Sequence, residues 1–397
     1  MTTTDAGGLT GARLPWDAAD PYPFYEARRA EGDVVWDDTA QAWLVLGFEV
    51  SRQVLGGPGW SSDPMAGQVA RASMDAFAAE FTKSSMLFAD GPDHQRLRDS
   101  VRDVFTRSYV TGLTAGVEGI AAAVVGHHPA GAELDLMSDI ALPLPLAVIG
   151  EWLDLGPETL QLVRDMSPVI IRTLGTLADP AEISAGATAS ATLMSEFLPL
   201  VADRRTHQGD DLLSFIAADH ALLLEEVAMT AILVAVAGHE TTANLLGTGL
   251  VRLLTPGADG TRPADAIDPA DPALVTELLR LDGPVQSTVR AATTDHRLGG
   301  AHIRAGESVL VVIAAANRDP AVFEDPAGFR LDRTGPSPLS FGYGAHYCLG
   351  AALAQLELTV ALREVLGREP VLTGPVRWRD TAAIRGPAAL PATFRAD

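Results

Sequence analysis

Glu225 to Leu254 is the segment that most limits what this chain can become. About thirty residues at 1.5 Å per residue make a helix roughly 45 Å long, enough to cross a whole domain. Its centre is apolar on every side, so the helix belongs in the middle of the molecule. That centre also breaks two local rules within Ala237-Gly238-His239-Glu240-Thr241-Thr242. A glycine inside a helix costs about 1 kcal/mol relative to alanine. A carboxylate among apolar residues is costly unless it is hydrated or paired. Rules broken together mark a functional site. Ala237 and Gly238 would let a flat ligand approach the helix, while Glu240 and Thr241 offer an acid and an alcohol for moving protons. Alone, the hexapeptide reads more readily as a helix kink with a solvated Glu and Thr.

The rest of the chain points to a mainly α fold with a minor β region, a single domain over residues 1–397. Val34-Val35-Trp36 and Trp43-Leu44-Val45-Leu46 are β-prone runs about a turn. Residues 61–90 read as irregular. Pro92 to Phe105 reads as a helix with proline in its first turn. Residues 110–205 are Ala/Leu-rich and helical, broken near Leu142-Pro143-Leu144-Pro145 and around Leu177 to Pro180. Asp271-Pro272 is a helix cap and first turn, in a helix ending at Asp282-Gly283-Pro284. Val289 to Ile313 holds strands around Gly299-Gly300, and a last helix runs from about Leu349 to Leu366. Pro256 to Pro269 is too rich in Gly and Pro for a clear assignment.

A formal net charge of −22 argues against nucleic-acid binding, which needs a broad basic surface, and against anionic membranes. Met1 to Leu14 lacks a basic start and an apolar core, so it reads as a flexible N-terminus and not a signal peptide. No run approaches the roughly 20 apolar residues of a membrane span; the best candidate is Ala228 to Ala237. With a single cysteine, no internal disulfide exists. The expectation is a soluble, cytoplasmic protein.

That cysteine stands in Phe341-Gly342-Tyr343-Gly344-Ala345-His346-Tyr347-Cys348-Leu349-Gly350. Glycines permit positive φ and let a flat group come close to backbone. The start of a helix offers free N–H groups and positive potential, which favour a thiolate. A bare Cys-x-Gly would be an inert buried cysteine; the whole ten-residue pattern is far more specific.

This segment closely resembles the heme-binding loop FGxGxHxCxG of the cytochrome P-450 superfamily, most of all its soluble bacterial, actinomycete members. The resemblance implies that Cys348 is the axial ligand and sole protein ligand of the iron of heme b, held between the central helix and the helix after the cysteine loop. It implies that Phe341, Gly342 and Gly350 shape the thiolate side and that His346 contacts a heme propionate. Ala237 to Thr242 resembles the family's (A/G)Gx(D/E)T(T/S), which makes Glu240 and Thr241 the catalytic acid–alcohol pair and places Ala237 and Gly238 against the cofactor. His94 and Arg98 lie at i, i+4 and match an HxxxR unit that binds a propionate; Arg290 matches the strand arginine that does the same. Glu277-Leu278-Leu279-Arg280 matches ExxR, with Arg333 as its later partner. Asn317-Arg318-Asp319-Pro320 matches a scaffold motif.

By the same resemblance the chain is a monooxygenase that places one atom of O2 into a small to medium, largely apolar molecule of secondary metabolism. Oxidative coupling, epoxidation or nitration remain alternatives, and a non-catalytic heme protein that recruits a substrate is a third. No Rossmann glycine motif and no second cysteine exist here for a flavin or iron–sulfur centre. Electrons are therefore expected from a ferredoxin and ferredoxin reductase, with NAD(P)H as ultimate donor. Such ferredoxins are acidic, as is this chain, so Arg96, Arg102 and Arg107 are candidates for a local docking patch. Substrate contacts are expected in residues 61–90, 165–190, 233–241 and 284–289 and at Gly386-Pro387.

Overall fold

The computed structural model describes residues 17–73, 84–173, 180–381 and 384–395. Residues 1–14, part of the irregular stretch 61–90 and part of the break at 177–180 lie outside them. The central helix runs Leu224–Leu254, 31 residues. Its start is fixed by Glu226, whose Oε2 accepts from the Leu223 N–H at 2.9 Å, satisfying one of the donors a helix start leaves free. Helices Pro143–Leu153, Pro157–Arg172, Pro180–Thr206 and Ala351–Leu366 pack around it. One large apolar core joins these elements.

The sheet is small. Five strands lie in the order Val34–Asp37, Ala42–Val45, Ser308–Val311, Thr288–Ala292, Trp60–Ser61. The first two form the expected hairpin, with Val34 opposite Val45. A separate hairpin, His296–Leu298 with Ala301–Ile303, turns on Gly299 and Gly300, both with positive φ.

Several local expectations change. Pro92 to Phe105 is two pieces, a helix Gly91–Asp99 and a 3-10 turn Arg102–Phe105. Ser100 Oγ bonds back to the Leu97 carbonyl at 2.8 Å, which competes with continuing the helix. The last helix starts at Ala351 rather than Leu349, because Gly350 has φ −82 and ψ 9 and stands as its cap. Residues 61–90 are not wholly irregular: a 3-10 turn Pro64–Ala66 and a helix Gln68–Ser73 are present. Between Pro256 and Pro269 only a 3-10 turn, Pro263–Asp265, forms.

One apolar stretch went unnoticed in the sequence. A π-helical turn, Leu136–Ala141, runs into Pro143–Leu153. Together Leu136–Leu153 make 18 helical residues apolar enough to cross a membrane by composition. Leu136, Ile140, Leu144 and Leu153 have no exposure. The apolarity is therefore used in packing against the central helix.

Candidate active site

The middle of the central helix is buried except for one face. Leu233, Ala237, Gly238 and Thr241 are half-buried while their neighbours are fully covered. Leu233, Ala237 and Thr241 recur every four residues, so they share that face. Thr241 Oγ1 donates to the Ala237 carbonyl at 2.7 Å. That bond fixes the hydroxyl and leaves its oxygen able to accept from the open side. Gly238 answers to a different neighbour than expected. A Cβ there would come within 3.0 Å of Ile149 Cδ1, so helix Pro143–Leu153 packs closely on the glycine, and a larger residue would push the Ile149 side chain aside.

Glu240 points away from that face and has no exposure. Arg379 Nη1 donates to its Oε2 at 2.7 Å. Asn244 Nδ2 donates to the Glu240 carbonyl at 2.7 Å and to Oε2 at 3.2 Å. Glu240 Oε1 has no partner. A carboxylate relaying protons directly from solvent is thus modified: Arg379, with its side chain 22% exposed, stands between Glu240 and solvent. Arg379 is carried by the C-terminal hairpin, where its N–H donates to the Gly386 carbonyl. Gly386 lies so close to Asn244 that a Cβ would meet Asn244 Oδ1 at 1.9 Å.

The cysteine loop is folded by its own backbone. Cys348 N–H donates to the Phe341 carbonyl at 2.8 Å and Tyr347 N–H to Gly344 at 3.1 Å. Gly342 and Gly344 have φ +73 and +77. At Gly344 a Cβ would also strike Gly56 Cα and the Leu55 carbonyl at 2.7 Å, so only glycine fits. Cys348 keeps an exposed surface, although protein atoms crowd its sulfur. The surface decides what can reach it; the crowding decides how firmly its proton is held. Burial pushes the thiol pKa up, opposed by the Gly350 N–H and by Arg98.

Beside Cys348 lies a concentration of basic groups. Arg98 Nη2 donates to the Tyr347 carbonyl at 2.7 Å. The His94 and His346 rings stand 4.0 Å apart. Arg290 is buried, and its guanidinium donates to the Val289 carbonyl at 2.7 Å and to Thr288 Oγ1 at 3.2 Å. Burial, then His94 and Arg290, lowers the His346 pKa to about 4; burial first and Arg98 next lower that of His94. Asp90 lies 3.8 Å from His346 Nε2 and already accepts from Ser61 Oγ and the Ser62 N–H; Asp99, which also acts on His94 and Arg98, is paired with Arg102. Among the described residues Arg290 has no ion pair. The set has more positive than negative charge and suits an anionic guest.

Away from this cluster, Glu277 and Arg280 form a buried bidentate pair, both bonds 2.8 Å. Arg333 Nε and the Arg330 N–H also donate to Glu277, at 2.9 and 3.0 Å. Arg280 then reaches the carbonyls of Asn317, Pro326 and Gly328, which ties the helix Pro272–Asp282 to the segment leading into the cysteine loop. Asn317 continues the tie through the Leu339 N–H and Ser340 Oγ.

The sequence is that of a known family throughout. The model for Cytochrome P-450 matches residues 272–370. The cytochrome P-450 monooxygenase PikC of Streptomyces venezuelae is 36% identical over 95% of this chain and 92% of its own length. The chain belongs to the cytochrome P-450 family. The 6-deoxyerythronolide B hydroxylase of Saccharopolyspora erythraea is 33% identical over 88% of this chain and 89% of its own. Among solved structures, the ligand-free P-450 CYP164A2 of Mycobacterium smegmatis superposes with a TM-score of 0.86 at 31% identity, covering 97% of this chain and 98% of that one. This P-450 is therefore a monooxygenase, an oxidoreductase that works with a heme iron, O2, a small-molecule substrate and a redox partner.

The residues fit a heme. One accessible thiol, four basic groups with Asp90 and Asp99 near them, and a largely apolar helix face with Ala237 and Gly238 on it are what an iron, two propionates and a flat ring need. The sequence reading named Cys348, His94, Arg98, Arg290 and His346, and the structure brings them together. It missed Arg379 and Asn244, and it offered Gly386 and the stretch holding Asp90 only as substrate contacts. Asn244 was legible, since it stands four residues after Glu240 on one helix face. Arg379 carried no local signal. The docking patch is corrected: Arg96 is taken by Glu226 at 2.6 Å, and Arg102 lies 3.0 Å from Asp99 and 3.6 Å from Asp103. Arg107 has no ion pair among the described residues.

Proposed function

We propose that this P-450 binds heme b, whose iron Cys348 would hold as a thiolate, and inserts one atom of O2 into a small to medium, largely apolar natural-product intermediate. Its electrons come from a ferredoxin and ferredoxin reductase, with NAD(P)H as the ultimate donor, in the cytoplasm. The observation that carries this reading is the company Cys348 keeps: the accessible thiol lies beside Arg98, within the cluster of His94, His346 and Arg290. The relatives support the substrate class, one of them being named for hydroxylating 6-deoxyerythronolide B.

When bound, the heme supplies an iron centre that takes electrons singly and activates O2. The chain's own residues do the rest. Cys348 must lose its proton; the Gly350 N–H and Arg98 favour that loss, and binding a metal completes it. Arg98 and Arg290 present fixed charges to two carboxylates. His94 and His346, kept neutral by burial at pH 7, each present a ring N–H. Thr241 Oγ1, whose proton is held by the Ala237 carbonyl, offers an acceptor on the open face. Arg379 anchors Glu240 Oε2 and leaves Oε1 as the atom that takes and gives a proton. Leu233 and Ala237 keep that face largely apolar, which suits an apolar substrate.

The test is spectroscopic. Reduced protein under CO should show the strongly red-shifted Soret band of a thiolate-ligated heme, and Cys348→Ser should abolish it. A normal band in that variant would remove Cys348 from the role.

A further inference from the structure

His239 is 1% exposed, and neither ring nitrogen has a partner at hydrogen-bonding geometry. Buried polar atoms of this kind are rare and call for an explanation such as an ordered water. The side chain leaves the helix about 100° from Glu240 and about 200° from Thr241, on the side away from the open face. Its surroundings are specific. The Leu142 carbonyl and Arg164 face the ring. The same two residues line a small cleft of about 170 Å³, with Pro143, Leu146, Ala147 and Leu160. The next residue, Glu240, has its own orphan atom, Oε1. The Leu142 carbonyl thus lies close enough to one ring nitrogen to bias it, while the ring shares Leu142 and Arg164 with a surface cleft and is followed in sequence by a residue with an unpartnered carboxylate oxygen.

We propose that His239 is a relay residue: water in the Leu142–Arg164 cleft protonates its ring, and the ring passes that proton through bound water to Glu240 Oε1. The step balances: a proton from bulk solvent enters through the cleft water onto one ring nitrogen, one leaves the ring for Glu240 Oε1, and the ring ends neutral with no electron moved. Burial is the main reason the His239 pKa is lowered, so the resting ring is neutral at pH 7. The charged groups that bias it are Glu240, which favours the imidazolium, and Arg379 and Arg164, which oppose it. A ring held neutral but attracted to an adjacent acid is suited to brief protonation. The idea rests on Glu240 acting as proton donor.

The test uses heme-loaded His239→Gln, His239→Phe and Glu240→Gln, each checked by its CO-reduced spectrum. NADPH oxidation without added substrate, driven by a plant-type ferredoxin and its reductase, is followed between about pH 5 and 8 in H2O and D2O. Both His239 variants should be slower, by up to about 10²-fold, and the acid-range pH dependence and solvent isotope effect of the wild type should disappear. A wild-type rate in His239→Gln, which keeps hydrogen bonds but cannot titrate, overturns the relay. If Glu240→Gln keeps the wild-type rate, the reading of Glu240 fails, and the relay with it; if it is slow and His239→Gln is not, the relay alone fails. A second readout needs no turnover. In ¹⁵N-histidine spectra of the CO-reduced holoenzyme, with nine histidines, the resonance missing from His239→Gln should be neutral at pH 7 and should move in Glu240→Gln. A resonance indifferent to Glu240→Gln overturns the proposal.

Discussion

Arg379 Nη1 stands 2.7 Å from Glu240 Oε2, joining the C-terminal hairpin to the centre of the central helix across 139 residues of sequence. The acid of the candidate proton path is thus held by a residue far from any motif. Removing one partner of a buried ion pair leaves the other charge uncompensated. Arg379→Gln should destabilise the fold by about 3 kcal/mol, read as a lower urea midpoint. Arg379→Gln combined with Glu240→Gln should recover much of that loss, and an additive double variant would contradict the pairing.

Glu277 gives a pH prediction. Burial raises its pKa, but the bonds from Arg280, the Arg330 N–H and Arg333 outweigh burial and hold it below its ordinary 4.5. A depressed acid lends stability that is full above the unfolded value and is lost as pH falls through the folded one. Wild type should therefore lose more stability than Glu277→Gln on acidification below about pH 4.5. At pH 7 the variant should already be weaker by about 3 kcal/mol, because Arg280 and Arg333 lose a buried counter-charge. Denaturant melts at both pH values measure this.

Gly344→Ala tests the cysteine loop. The added carbon meets backbone at 2.7 Å, at a φ of +77. The cost should be about 1–3 kcal/mol, placed in the loop that presents Cys348. Lower heme content per protein should accompany the lower melting temperature; unchanged heme content would show that the loop can move aside.

For the redox partner, Arg107 is the residue to reverse among the three patch candidates. Arg107 lies close enough to Tyr347 to influence its phenol, and Tyr347 is 44% exposed next to Cys348. Arg107→Glu should slow ferredoxin-supported reduction several-fold, with the difference shrinking as salt shortens the screening length below about 8 Å. Dithionite reduction should stay unchanged. Arg102→Glu should do less, since Asp99 and Asp103 already offset its charge.

The sequence by itself determined the axis of this protein and the loop opposite it. A helical segment as long as Glu225 to Leu254, apolar on every side at its centre, buries its side chains as a central helix. The glycines of the Phe341–Gly350 loop carry backbone angles that other residues resist. These are local constraints, written in consecutive residues. The tertiary structure decided which distant groups meet. It gave Glu240 to Arg379, set Asp90 beside His94, His346 and Arg290, and spent Arg96 on Glu226 and Arg102 on its neighbouring aspartates. It also showed that Gly238 answers to Ile149. Charge pairing depends on distances of a few ångströms between elements far apart in the chain, and neither composition nor periodicity contains those distances.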